Sequence, residues 1–273
     1  MVAQLNGLVR DYWKVDGIPL DTMTWGIESL TGQRAVPMLR KTGMTVPGMP
    51  GTIANAAMDT HDPGLIAFKG NIRGANADGT VPGDRTLRRQ QFDQALTMWL
   101  GLFSRVGRLI SVEYIDTNGV SWTAKGRVVS SFTPDLKTPR YATVECVVEL
   151  VDTYLRGPLQ VFNVPAGGGD LAVTPGSNQT ILDATYEFSG SNVLTCPHGN
   201  WYTEVTGPGS IRLDAGGWSA YGATNGLAGV TPQGVPGFRL MALYPKPDLA
   251  TGLFKYRLNT DRATKVTLKG ARL

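Results

Sequence analysis

Apolar and polar residues alternate with a period of two along most of the chain, which is the signature of half-buried strands. In the first half such runs cover 23–30, 65–72, 109–115 and 120–129, and a longer one extends from 140 to 155. The runs 109–115 and 120–129 flank Asp116-Thr117-Asn118-Gly119. Asn-Gly tolerates positive φ, so this pair of runs reads as a hairpin. One stretch breaks the two-fold pattern. Phe92, Ala95, Leu96, Trp99, Leu102, Phe103 and Val106 are spaced by three and four residues and mark one face of a helix. Asp84 or Thr86 can cap its start and Gly107 suits its end. Trp99 and Phe103 are therefore expected in the core.

Beyond Arg156-Gly157-Pro158 no helical period recurs. Short alternating runs appear at 159–164, 180–188, 201–205, 210–213, 238–243, 253–258 and 265–268. Turn-forming clusters separate them, among them Pro165 to Asp170, Pro175 to Asn178 and Gly207-Pro208-Gly209. The expected fold is mainly β in two domains. Residues 1–157 would form a barrel or sandwich with one packed helix, and residues 158–273 an antiparallel sandwich or jelly roll.

Composition agrees with many short strands joined by turns. The 273 residues include 34 glycines and 17 prolines, well above the usual combined share of ~12%. The glycines follow no three-residue period, which excludes collagen. The 42% hydrophobic content supports a packed core, and 18% charged residues argue against a long exposed helix. The net charge of +4 lies in no block, so a sequence-specific nucleic-acid interface is not expected. The two cysteines, Cys146 and Cys196, stand 50 residues apart in different expected domains. That spacing argues against a disulfide and for a reducing compartment. Neither a signal-like apolar core at the N-terminus nor a run of ~18 apolar residues is present. The expectation is a soluble chain made in a cytoplasm, without membrane insertion.

The search for chemistry yields no catalytic constellation, and no cofactor or metal is expected. The two histidines, His61 and His198, lack the paired spacing of a zinc site, and Cys196 with His198 reads as a turn. Gly217-Trp218-Ser219-Ala220-Tyr221 lacks the final glycine of a nucleophile elbow. Gly167-Gly168-Gly169 precedes no helix that could hold a phosphate. Glu145 and Glu149 share one side of a strand and read as its polar face. Aromatic residues are the remaining lead. Trp201, Trp218 and Tyr221 lie near turns, where a ring could pack on a sugar, or they could fill the sandwich core.

An ordered string of motifs resembles the distal tail protein family of long, non-contractile-tailed bacteriophages, often called minor tail proteins. It opens with Trp13-Lys-Val-Asp-Gly-Ile-Pro-Leu20 and Trp25-Gly-Ile-Glu-Ser-Leu-Thr-Gly32. Thr45-Val-Pro-Gly-Met-Pro-Gly51 follows, with Met49 where the family usually has arginine. In the second half, Gly209-Ser-Ile-Arg-Leu-Asp214, Pro236-Gly-Phe-Arg-Leu240 and Thr264-Lys-Val-Thr-Leu268 look like the family's galectin-like sandwich. The resemblance implies a tail-tube-like first domain that builds a six-fold ring around the DNA channel at the virion's tail tip. Val46, Pro47, Gly48 and Gly51 would then contact the neighbouring subunit. Implied partners are tail-tube, tape-measure and tail-tip or fibre proteins, with assembly in the host cytoplasm. The alternative is a carbohydrate-binding adaptor that recognises host glycans through Trp201, Trp218 and Tyr221.

Overall fold

The computed structural model describes residues 11–31, 39–40, 43–44, 53–54, 60–61, 63–104, 107–130, 134–152, 154–199, 201–205, 207, 209–215, 219–222, 230–231 and 241–272. These residues are mainly β, and among them the one α-helix is Arg85–Phe103. The chain divides into two compact units, one of Met1–Met38 with His61–Leu155 and one of Leu39–Thr60 with Arg156–Arg272.

The first unit is an antiparallel sheet with the order Ile18–Pro19, Tyr12–Val15, Ile110–Ile115, Ser121–Val128, Tyr141–Leu150, Leu65–Arg73 and Trp25–Thr31. Alternate residues of its strands are buried, as in Ile110, Val112 and Tyr114 or Ile66, Phe68 and Ile72. The helix covers this apolar face with Phe92, Ala95, Trp99, Leu102 and Phe103. Its first turn is held by Asp84, whose Oδ1 accepts from the backbone N–H of Thr86 at 2.6 Å and of Leu87 at 3.4 Å. It stops at Phe103, where the N–H of Ser104 reaches the Leu100 carbonyl. Gly107 does take a left-handed φ of 74°, but it lies beyond the helix, and Val106 is outside the described residues. The Trp99 indole packs over a glycine: a Cβ on Gly70 would stand 3.0 Å from its Cη2. Trp99, Phe103, Phe68 and Trp13 continue as a ladder of ring contacts with centroids 5.1, 6.3 and 5.6 Å apart.

Two turns fix the sheet's register. Asp116, 3% exposed, accepts through Oδ1 from the N–H groups of Asn118 and Val120 and through Oδ2 from the Trp122 indole. Only Gly119 takes positive φ, 77°, so the loop is a tight turn followed by a left-handed glycine, and Asn118 needs no left-handed backbone. The second turn is Asp16-Gly17, both residues left-handed at φ 49° and 81°. It joins Val15 to Ile18, and Asp16 Oδ1 accepts from Ser111 N at 2.8 Å.

The expected single strand over 140–155 is two strands, Tyr141–Leu150 and Leu155–Val164, separated by a bend at Val151 and Asp152. Gly157 and Pro158 lie inside the second strand, just past the division of the two compact units between Leu155 and Arg156. Residues 39–61 add two nested ladders, Leu39–Arg40 beside Thr60–His61 and Gly43–Met44 antiparallel to Ile53–Ala54.

In the second unit one sheet has the order Leu155–Val164, Thr264–Arg272, Thr185–Ser189, Ser210–Asp214 and Ser219–Gly222. The other has the order Gly169–Leu171, Leu253–Thr260, Asn192–Cys196, Trp201–Val205 and Val230–Thr231, with Lys246–Asp248 beside Leu253–Thr260. Tyr186 of the first sheet meets Trp201 of the second edge-on, with centroids 6.3 Å apart. A buried polar knot ties the hairpin 260–264: Asn192 Nδ2 donates to Thr260 and Thr264, and its Oδ1 accepts from Arg262 N. Gly167 and Gly168, left-handed at φ 90° and 88°, form a turn closed by the bond from Gly168 N to the Pro165 carbonyl. That turn serves a sheet connection, since a Cβ on Gly168 would come within 2.4 Å of Asn259 Cα.

Candidate functional site

The residues singled out for subunit contact, Val46, Pro47, Gly48 and Gly51, lie outside the described residues. Of the residues on either side, Met44 pairs with Ile53 and Gly43 with Ala54.

The aromatic candidates separate. Trp201 is 4% exposed, and its indole N–H donates to the Ala242 carbonyl at 2.7 Å. It fills the second unit's core against Tyr186 and offers no ring face to a sugar. Trp218 lies outside the described residues. Tyr221 is placed by its backbone, opposite Arg212 on the strand Ser219–Gly222, and its side chain is not among those described.

The remaining chemical candidates are held in structural roles. Cys146 and Cys196 are free and buried. Burial pushes the Cys146 thiol up to about 12, and burial also raises Cys196 against the opposing N–H groups of Tyr244, Gly199 and His198. Neither thiol is a thiolate at neutral pH, so neither is a nucleophile or a ready metal ligand. Glu149 is engaged with Arg127 Nε at 2.5 Å, while Glu145 stands exposed opposite Lys69. The two carboxylates do not work as a pair. Among the described residues no three His, Cys, Asp or Glu side chains gather closely enough to hold a metal ion.

Two surface features went unnoticed in the sequence. The first is a cleft of about 340 Å³ between the turn 22–25, the loop 75–77 and the helix. Met23, Trp25, Ala75, Gln94, Ala95 and Met98 contribute to its walls, and no charged residue lines it. The walls are fixed. Trp25 Nε1 donates to the Pro19 carbonyl, Arg73 Nε holds the Met23 carbonyl at 3.0 Å, and Asn76 N reaches the Thr80 carbonyl. The second is the tip joining Lys246–Asp248 to Leu253–Thr260, where Leu249, Leu253 and Phe254 are exposed, Leu249 almost completely. Asp248 anchors that tip. Its carboxylate accepts from Lys255 Nζ at 2.8 Å, Thr251 Oγ1 at 2.8 Å and Ala250 N at 3.1 Å. Chiefly the Lys255 bond, then those from Thr251 and Ala250, lower its pKa to about 2. A helix face read by its buried positions gives no sign of Met98, and a turn read as a connection gives no sign of Leu249.

No family model matches the chain, and no curated protein matches it. Solved structures do. The fold is similar to that of the Dit protein (gp 19.1) of phage SPP1, described as a paradigm of the hub adsorption apparatus in phages infecting Gram-positive hosts. The TM-score is 0.56 at 13% identity, and the match covers 96% of this chain and 99% of that one. A structure of the phage p2 baseplate in its activated conformation with Sr matches over 95% of this chain and 97% of its own, at 9% identity. Its TM-score of 0.39 is too low to support an argument. At these identities the likeness establishes a shared fold.

Proposed function

We propose that the chain is a structural subunit of a bacteriophage tail, forming a ring at the distal end of the tail tube and anchoring tail-tip or receptor-binding proteins. The observation that carries this reading is the match to the SPP1 Dit fold along nearly the full length of both chains. In this reading residues 1–157 form a tail-tube-like, ring-building domain, and residues 158–273 a galectin-like sandwich. The ring is hexameric, the virion's tail tip is its location, and assembly takes place in the host cytoplasm beside tail-tube and tape-measure proteins. A chain with a net charge of only +4 suits a channel that lets DNA pass without gripping it.

The segment of Val46, Pro47, Gly48 and Gly51 is proposed to reach the neighbouring subunit. Replacing residues 45–52 with an Asn-Gly turn keeps the ladder of Met44 with Ile53 and removes that reach. Negative-stain images of the intact protein, alone or in tails carrying it, should show a ring with a central opening, and the shortened variant should not form one. Intact protein without rings in either setting overturns the ring reading. Rings from the shortened variant remove the 45–52 segment from the contact. A sugar-binding role would have to rest on Trp218 and Tyr221, because Trp201 is committed to the core.

A further inference from the structure

The turn of the Asp116 hairpin holds a reactive pair in a protected geometry. Asn118 is followed by Gly119, and both are exposed. A glycine puts no side chain in the way of its own backbone nitrogen, so Asn-Gly is the asparagine pair most prone to lose its amide. The nucleophile is the Gly119 nitrogen, which has to give up its proton and swing toward Asn118 Cγ. The folded turn withholds both. The Gly119 N–H donates to the Asp116 carbonyl at 2.9 Å, and Gly119 is fixed at φ 77°. Asp116 Oδ1 accepts from the N–H of Asn118 at 2.9 Å and of Val120 at 3.0 Å. The Asp116 N–H closes the hairpin on the Val120 carbonyl at 3.0 Å. From the core, the indole of the fully buried Trp122 holds the other carboxylate oxygen at 3.1 Å.

We propose that Asn118 is a self-modification site gated by Asp116. When the turn opens, the Gly119 nitrogen attacks Asn118 Cγ. The Cγ–Nδ2 bond breaks, and the amide leaves as ammonia with the proton from Gly119. The product is a cyclic succinimide. Water then opens the ring at either carbonyl. Cleavage between Cγ and the Gly119 nitrogen leaves an aspartyl residue on the normal backbone. Cleavage at the main-chain carbonyl leaves an isoaspartyl link that runs through Cβ and Cγ and lengthens the turn by one main-chain atom. The bonds that Asp116 makes across the original turn do not all fit the longer one, so each opening that ends in this product is permanent. Hairpins close in ~1–10 μs, far faster than this chemistry, so the rate follows the population of open turns.

Peptide mapping by mass spectrometry tests the gate, with the full chain held in heavy-oxygen water at mildly alkaline pH so that each event leaves a labelled carboxylate. The sequence supplies internal references in Asn6-Gly7 and Asn225-Gly226, both outside the described residues. Asn118 in the urea-unfolded chain should react faster than in the folded chain by on the order of tenfold or more. Asp116→Ala, which removes the acceptor of both turn N–H groups, should raise the folded rate at Asn118 by on the order of tenfold. Asp116→Asn keeps an acceptor oxygen and should stay within about threefold of wild type. The two reference pairs should keep their wild-type rates in every folded variant. A folded wild type that reacts as fast as the unfolded chain overturns the proposal. So does a wild-type rate at Asn118 in Asp116→Ala, or an equal acceleration of all three pairs, which marks general loosening. If Asp116→Ala does not fold, Trp122→Phe decides. It removes the indole donor and should speed Asn118 by about threefold or more, and an unchanged rate overturns the gate.

Discussion

Trp99 is fully buried, wedged between Gly70 and the ring of Phe103. Trp99→Ala should lower stability by ~3–5 kcal/mol through lost burial and the cavity left behind, as read from urea unfolding. A second close approach lies at Gly74, where a Cβ would fall 2.2 Å from the Arg88 carbonyl oxygen. Gly74→Ala must push the helix away from its strand and should cost ~1–3 kcal/mol, measured the same way. In the other unit Asn192→Ala leaves Thr260, Thr264 and the N–H of Arg262 without a shared partner. A loss of ~1–3 kcal/mol is expected. Trp99 and Phe103 were legible as core because helical spacing is long-range order within one segment. Trp201 was ambiguous, because a strand residue beside a turn looks the same whether its ring faces the core or the solvent. What decides it is the Ala242 carbonyl, some forty residues away and invisible to local pattern.

The Asp116 hairpin shows how one carboxylate organises an element. Asp116→Ala removes the acceptor of two turn N–H groups and of the Trp122 indole, and should destabilise the first unit by on the order of 2–3 kcal/mol. Differential scanning calorimetry would show it as a lower melting temperature. Asp248 gives the corresponding prediction in pH. Its folded pKa of about 2 lies below the ~3.9 of an unfolded aspartate. The stabilisation is therefore fully present above pH ~4 and lost as the pH falls toward 2. An NMR titration of the Asp248 carboxyl should give a midpoint near 2, and Lys255→Met should move it upward, since the Lys255 bond is the leading cause. A midpoint near 4 in the wild type would contradict the anchored tip. Element boundaries were the least legible part of the fold. Apolar residues stand on both sides of Asp152-Thr153, so 140–155 reads as one strand, although the adjacent pairs Leu150-Val151 and Asp152-Thr153 break the alternation where the chain bends. Asp16-Gly17 is a strong turn signal, yet the strand that stabilises it, Ile110–Ile115, lies far along the chain.

For the whole molecule, the proposed two-domain organisation predicts that residues 154–273 expressed alone give a strand-type circular dichroism spectrum and a cooperative melt. A featureless, non-cooperative melt would argue that this part depends on the remainder. The ordered motifs span the chain, and so does the fold shared with SPP1 Dit. The sequence was silent on the cleft and the tip, which exist only once distant segments are side by side. The two thiols have a practical consequence of their own. Cys146 lies in one unit and Cys196 in the other, each free, buried and protonated. An alkylating reagent reaches either sulfur only when its surroundings open. Every molecule thus carries one built-in stopwatch per unit, and the order in which the two masses appear in a labelling time course reports which half of the protein lets go first.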